Sequence, residues 1–172
     1  LLFGEEEGLP GLTVNASLVD DRGTIWFSTN KGLCRYTGDF LYVYSFTHKT
    51  AQGSDYAIIS MAKDNEGRIW MTTAGDGIYV MDIYNGVLYH DNSQLFAIAI
   101  TCSHDGTVWL NGFSDGSNVI YIIDTKKQTV KTIQNPEYGL AIKEDRFHNI
   151  WIGNSGSIHI ISADRKKVKK IN

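Results

Sequence analysis

Phe113, Asp115 and Asn118 fall within the stretch Phe113-Ser114-Asp115-Gly116-Ser117-Asn118, and together they could hold a sugar. A planar aromatic ring covers the apolar face of a pyranose, while a carboxylate and a carboxamide take its hydroxyls as acceptor and donor. Asp76, in Ala74-Gly75-Asp76, and Lys31, in Asn30-Lys31, stand in comparable short polar stretches and complete the candidate ligand-binding set. Bond-breaking chemistry has no such support. Serine, histidine and aspartate occur at no nucleophile-elbow or triad spacing, and the five histidines (His48, His90, His104, His148, His159) show no metal-ligand pairing. Asp64-Asn65-Glu66-Gly67 is acidic but too poor in ligands for a calcium loop. Cys34 and Cys102 lack CxxC or Cys/His spacing and lie in apolar runs of non-adjacent repeats, so they read as buried free thiols. The expectation is a chain with no catalytic residue, no metal and no cofactor.

The elements that must position these loops repeat. Trp26, Trp70, Trp109 and Trp151 are 44, 39 and 42 residues apart, each preceded by Ile or Val. Gly23, Gly67 and Gly106 stand three residues before their Trp, where His148 takes the place in the fourth copy. Asp20, Asp64 and Asp145 stand six before, where Ser103 takes the place in the third, with Asp105 two residues later. A second glycine follows each Trp (Gly32, Gly77, Gly116, Gly156) and opens another apolar run. A period of about 40 to 45 residues with this strand character is that of propeller blades.

Each copy reads as four short strands bounded by turn residues. Strand A is expected at 13–19, 56–63, 96–102 and 139–143, and strand B at 24–29, 68–73, 107–111 and 149–153. Strand C is expected at 33–37, 78–83, 119–124 and 157–162, and strand D at 40–46, 87–90, 129–133 and 167–171. The fold class is therefore all-β: a β-propeller of four-stranded antiparallel blades at about 10–46, 56–90, 95–133 and 138–171, with 1–4 as the tail of a preceding outer strand. No segment has a helical period, so almost no helix is expected. Alanine-rich A strands (Ala57, Ala62, Ala97, Ala99, Ala141) suit the crowded inner edge of a blade. Each Trp, on strand B, should pack its ring against the next blade. The Asp-x-x-Gly turns should be tight A–B hairpins, and the ligand loops should gather on the face formed by the B–C and D–A connections.

The chain has 172 residues and a formal net charge of −3, with no long single-sign block. Neither nucleic acid nor an anionic membrane is an expected partner. The one basic cluster, Arg165 to Lys170, reads as a solvated turn and outer strand.

The first copy resembles the two-component regulator propeller repeat of periplasmic sensor regions in Bacteroides-type hybrid two-component systems. Gly8-Leu9-Pro10, Val14, Asp20, Gly23, Ile25-Trp26, Thr29, Gly32-Leu33 and Arg35-Tyr36 fall on that repeat in register, while Leu12, Ser17 and Ser28 depart from it. The second keeps Asp64, Gly67, Ile69-Trp70, Thr73 and Gly77. The resemblance implies a seven-bladed propeller, a periplasmic location, an oligosaccharide ligand, and a membrane helix, kinase and DNA-binding region elsewhere in the parent chain. Four blades would then be a segment of a larger ring, a compact four-bladed ring, or half of an eight-bladed homodimer. Two other functions stay open. Gly67-Arg68-Ile69-Trp70-Met71-Thr72-Thr73 is also similar to the repeats of streptogramin lyases, which would need a catalytic His with acidic metal ligands on one face; a protein-interaction scaffold would need neither.

Overall fold

Short runs of β-branched and aromatic residues between glycine-bearing turns favour antiparallel strands. The computed structural model, which describes residues 4, 6, 8–46, 51, 53, 56–86, 88–91 and 95–172, contains sixteen of them among those residues. The first sheet is β1 (Val14–Val19), β2 (Ile25–Thr29), β3 (Gly32–Tyr36) and β4 (Leu41–Tyr44). The second is β5 (Ile58–Lys63), β6 (Arg68–Thr73), β7 (Ile78–Asp82) and β8 (Leu88–Asp91). The third is β9 (Phe96–Cys102), β10 (Thr107–Ser114), β11 (Ser117–Asp124) and β12 (Thr129–Gln134). The fourth is β13 (Gly139–Glu144), β14 (Ile150–Asn154), β15 (Ile158–Ile161) and β16 (Val168–Ile171). Each sheet is an antiparallel meander in chain order, which is the propeller blade expected. Residues 1–3, 87 and most of the link 47–55, His48 included, lie outside the described residues.

Successive first strands, β1, β5, β9 and β13, lie side by side, so each blade's strand A is innermost. Ala97 and Ala99 are buried there, whereas Ala141, in the last blade, is exposed. The outermost strands β12 and β16 are almost wholly exposed, as polar edges should be. In the first blade Phe40, Tyr42, Tyr44 and Phe46 grade from exposed to buried, with Tyr44 5.6 Å from the Trp26 ring and Phe46 stacked 4.2 Å from Tyr79 of the next blade.

The core is three inter-blade clusters. Trp26 packs with Ile69 and Met71, Trp70 with Val108 and Leu110, and Trp109 with Ile150 and Ile152. Each ring thus meets the residues immediately before and after the next blade's own Trp. Burying an aromatic ring removes roughly 150 to 250 Å², worth about 4 to 6 kcal/mol at 25 cal/mol/Å². Trp26, Trp70 and Trp109 are 1, 9 and 3% exposed, but Trp151 is 38% exposed. Trp151 shares its open face with Ile158 and Ile171, and no strand of the first sheet packs extensively on the fourth among the described residues, so the blades form an open arc.

A carboxylate fastens each ring. The indole N–H of Trp26 donates to Asp20 at 2.9 Å, that of Trp70 to Asp64 at 2.8 Å and that of Trp151 to Asp145 at 2.7 Å. The second oxygen of each Asp accepts backbone N–H groups two and four residues on, which closes the A–B turn. Asp64 also holds Arg68 at 2.7 Å, so its acidic stretch is a turn staple. The third blade uses a relay: the Trp109 indole donates to Thr107 Oγ1 at 2.9 Å, and Thr107 donates to Asp105 at 2.5 Å. Burial pushes Asp20 up, but hydrogen bonds from Trp26, Thr24 and Arg22 outweigh it and hold the carboxyl below its ordinary value. The Asn149 amide, with Trp151 and two backbone N–H groups, draws Asp145 down to about 2. Both cysteines are free, in different blades, and burial pushes the Cys34 thiol up to about 11.

Trp70→Ala should destabilise the chain by about 3 to 5 kcal/mol in urea unfolding, the usual cost of deleting a buried aromatic. Trp151→Ala, removing a ring that no blade covers, should cost clearly less; equal costs would undo the packing argument. Acid should act through the staples. Asp145 titrates at about 2 when folded against 3.8 otherwise, so its contribution is whole above pH 3.8 and is lost as pH falls towards 2. Melting temperature should drop across that window, and less steeply in Asp145→Asn; an unchanged slope in the variant would show that the staple is not what titrates.

Candidate functional site

The B–C connection of the third blade is a hairpin longer than its sequence suggests. Strands expected to stop at Asn111 and resume at Val119 instead run to Ser114 and from Ser117, because Gly112 pairs with Val119, Phe113 with Asn118 and Ser114 with Ser117 in unbroken register up to a two-residue turn. Asp115 and Gly116 form the two-residue turn at φ 49° and 75°, the pair of positive values that an Asp-Gly hairpin turn requires. Phe113 pairs with Asn118 across this hairpin and with Phe96 of β9.

Phe113 is therefore fixed on a strand, and its ring bridges two blades. It lies 5.7 Å from the Phe96 ring and 5.4 Å from that of Tyr138, which leads into the fourth blade. Phe96 and Tyr138 are 37 and 44% exposed, so the three rings form a partly open aromatic rim on the B–C and D–A face. Two residues along β10 from Phe113, buried Asn111 faces two more asparagines. Asn135 Nδ2 donates to Asn111 Oδ1 at 3.3 Å and to Asn154 Oδ1 at 2.9 Å, and the Asn135 backbone N–H donates to the Asn118 carbonyl at 2.9 Å. Asn111 Nδ2, Asn154 Nδ2 and Asn135 Oδ1 have no hydrogen-bond partner. Leaving such groups unpaired costs about 1 to 3 kcal/mol each. Two donors and one acceptor thus lie buried and unpaired in the seam behind an aromatic rim.

Asp115, at the hairpin tip, is exposed, and Asn118 is half-buried. Lys31 lies exposed in the B–C turn of the first blade, away from this junction. Asp76 belongs to the second blade and is tied into it: it accepts from Tyr79 Oη at 2.5 Å, and its carbonyl lies 2.7 Å from His90 Nε2. Phe96, Tyr138, Asn111, Asn135 and Asn154 were not singled out in the sequence. Their signal is departure from the repeat. After Trp26 and Trp70 come Ser28-Thr29 and Thr72-Thr73, where the third and fourth copies place Asn111 and Asn154.

The opposite face of the same junction is polar. Glu144 accepts from Ser103 Oγ at 2.6 Å and from the His104 backbone N–H at 2.9 Å, and lies 2.7 Å from His104 Nδ1. Burial pushes Glu144 up, but the hydrogen bonds from Ser103 and His104 outweigh it and keep the carboxyl below its ordinary value. His148 Nδ1 is 3.7 Å from the same carboxylate, so two histidines without sequence pairing are neighbours in the fold. Arg165, read as part of a solvated basic cluster, is instead an inter-blade clamp. Its guanidinium donates to Ser103 Oγ at 2.8 Å and to the His148 carbonyl at 2.8 Å, and lies 5.2 Å from the Trp109 ring centroid.

Residues 8–31 and 52–75 match the two component regulator propeller family, as the resemblance in the sequence indicated. None of the curated proteins matches the chain. Among solved structures, the extracellular domain assigned to the hybrid two component system BT4673 of B. thetaiotaomicron is similar at TM-score 0.74 and 18% identity, over 96% of this chain and 22% of its own. Virginiamycin B lyase of Staphylococcus aureus is similar at TM-score 0.74 and 15% identity, over 95% and 57%. A chain of the nidogen/laminin complex gives TM-score 0.77 and 11% identity, over 95% and 66%. The chain spans about a fifth of the first of these and less than two thirds of the lyase. At such identities the likeness is one of fold, the β-propeller.

Gly139 tests the asparagine cluster. A Cβ there would lie 1.8 Å from Asn111 Nδ2, whereas one on Gly153 would meet nothing closer than 3.6 Å. Gly139→Ala should therefore destabilise by about 1 to 3 kcal/mol, and Gly153→Ala much less. Equal effects in urea titration would mean that Asn111 is not held where it is seen.

Proposed function

Because its first half carries the two-component regulator propeller repeat, we propose that this arc of blades is the ligand-sensing part of an extracytoplasmic, periplasmic two-component sensor, and that its ligand is an oligosaccharide bound at the junction of the third and fourth blades. The observation that carries this reading is the aromatic rim of Phe96, Phe113 and Tyr138 beside three asparagines with unpaired amide groups. A pyranose laid on Phe113 and Tyr138 removes apolar area from water, and a parting of the seam between the blades would let its hydroxyls reach the buried Asn111 and Asn154 amides and the Asn135 carbonyl oxygen. Pairing those groups recovers the cost of leaving them unpaired, which favours a hydroxyl-rich ligand over an apolar one of equal size. Asp115 and Asn118 then supply outer contacts from the hairpin tip. In this reading the segment performs no catalysis; binding at a seam between blades is converted elsewhere in the parent chain.

The test is a thermal-shift screen of the chain against soluble oligosaccharides from plant and host polysaccharides, followed by calorimetry. A binding sugar should raise the melting temperature in proportion to its saturation, and Phe113→Ala and Tyr138→Ala should each weaken it about tenfold or more. No stabilising sugar in the screen, or a sugar bound equally well by both variants, would sink the assignment. Stabilisation by a protein partner alone would put the scaffold reading in its place.

A further inference from the structure

We propose that His104, Glu144 and His148 form a binding site for a divalent transition-metal ion of the zinc type, at the end of the third–fourth blade junction opposite the aromatic rim. One donor atom from each of the three lies within 4.8 Å of the others. A tetrahedral ion with ligand distances of about 2.0 to 2.2 Å needs donors roughly 3.4 Å apart, so small movements suffice. The two imidazoles are stacked at 3.5 Å with planes inclined by 22°. Lone pairs in near-parallel planes do not converge, so binding turns one ring out of the stack. Both rings can turn, since His104 and His148 are 45 and 48% exposed. Glu144, fixed by Ser103 and the His104 backbone, is the anchored ligand.

The backbone supports the placement. The position three before each Trp is Gly23, Gly67 and Gly106 in the first three blades, at φ 78°, 78° and 86°, and His148 alone puts a side chain there, at φ 66°. L residues other than glycine rarely adopt that conformation, and here it brings an imidazole against His104. The local charge also suits a cation: the carboxylates of Asp105 and Glu144 face one guanidinium, Arg165, at 3.3 and 3.6 Å. Two imidazoles and a carboxylate select zinc, nickel, cobalt or copper over magnesium and calcium, which prefer oxygen donors. Solvent can supply the fourth ligand on the open side.

Calorimetric titration of the chelator-treated chain with zinc chloride tests this, with magnesium and calcium chloride in parallel. The expected result is one zinc ion per chain with a dissociation constant of about 10 μM or lower, and no saturable heat from magnesium or calcium. His104→Ala should weaken zinc at least about tenfold. His148→Gly restores the repeat's glycine, so it should melt no lower than the parent chain yet lose zinc to the same extent, which separates a lost ligand from a lost fold. His159→Ala, on another strand, should bind as the parent does. Absence of saturable zinc binding, full affinity in His148→Gly, or loss of affinity in His159→Ala would each overturn the site.

Discussion

The hydrogen bond between an aspartate and the indole six residues after it is the interaction on which this fold depends. A Trp ring between two sheets would leave its N–H as a buried donor, a cost of about 1 to 3 kcal/mol. In the first two blades a carboxylate removes that cost, the open fourth blade makes the same bond, and in all three the carboxylate closes the A–B turn with its second oxygen. Turn geometry and inter-blade packing are therefore one event. Closing the hairpin aims the ring, and the aimed ring supplies the surface on which the next hairpin folds.

Where the staple is altered, the chain substitutes links between blades. With Ser103 in place of the aspartate, Trp109 is held through Thr107 and Asp105, and the serine hydroxyl is released to bond Glu144 of the following blade. Arg165 then reaches back from the fourth blade to Ser103 and Asp105. The earlier junctions have sparser ties at this end, Lys63 to Asp21 at 2.8 Å and Asn65 to the His104 carbonyl at 2.8 Å. The third–fourth junction is thus cross-linked by polar groups at one end and carries the aromatic rim at the other.

Packing in the arc has a direction. Each blade offers its Trp forward and an aliphatic or thioether pair backward, as Ile69 and Met71 do to Trp26. Such an arrangement is self-similar and has no internal stop, so the last blade keeps its forward half unused. Trp151 stands open there. A further β-sheet of the same kind would satisfy that face.

What could be read from the sequence was what repeats. The Trp period gave the blades, the Asp-x-x-Gly spacing gave the hairpins, and the bounding turn residues placed most strand ends within two residues. The bond from Asp to Trp was implicit in a constant spacing of six, but it becomes evident only once the hairpin folds the two together. The third-blade hairpin was misread because Gly112, Ser114 and Gly116 look like loop residues, although Phe113 and Asn118 pair across it in regular register. The candidate sites were hidden for a stronger reason. Their members lie one blade apart in sequence, as Asn111 and Asn154 do, or His104 and His148, and no short motif spans such a distance. Their signature is failure to repeat: asparagine where other copies have a hydroxyl, histidine where others have glycine. In a fold held together by repetition, packing explains the residues that recur, so the positions that break the period without weakening the blade are where a binding role must be sought.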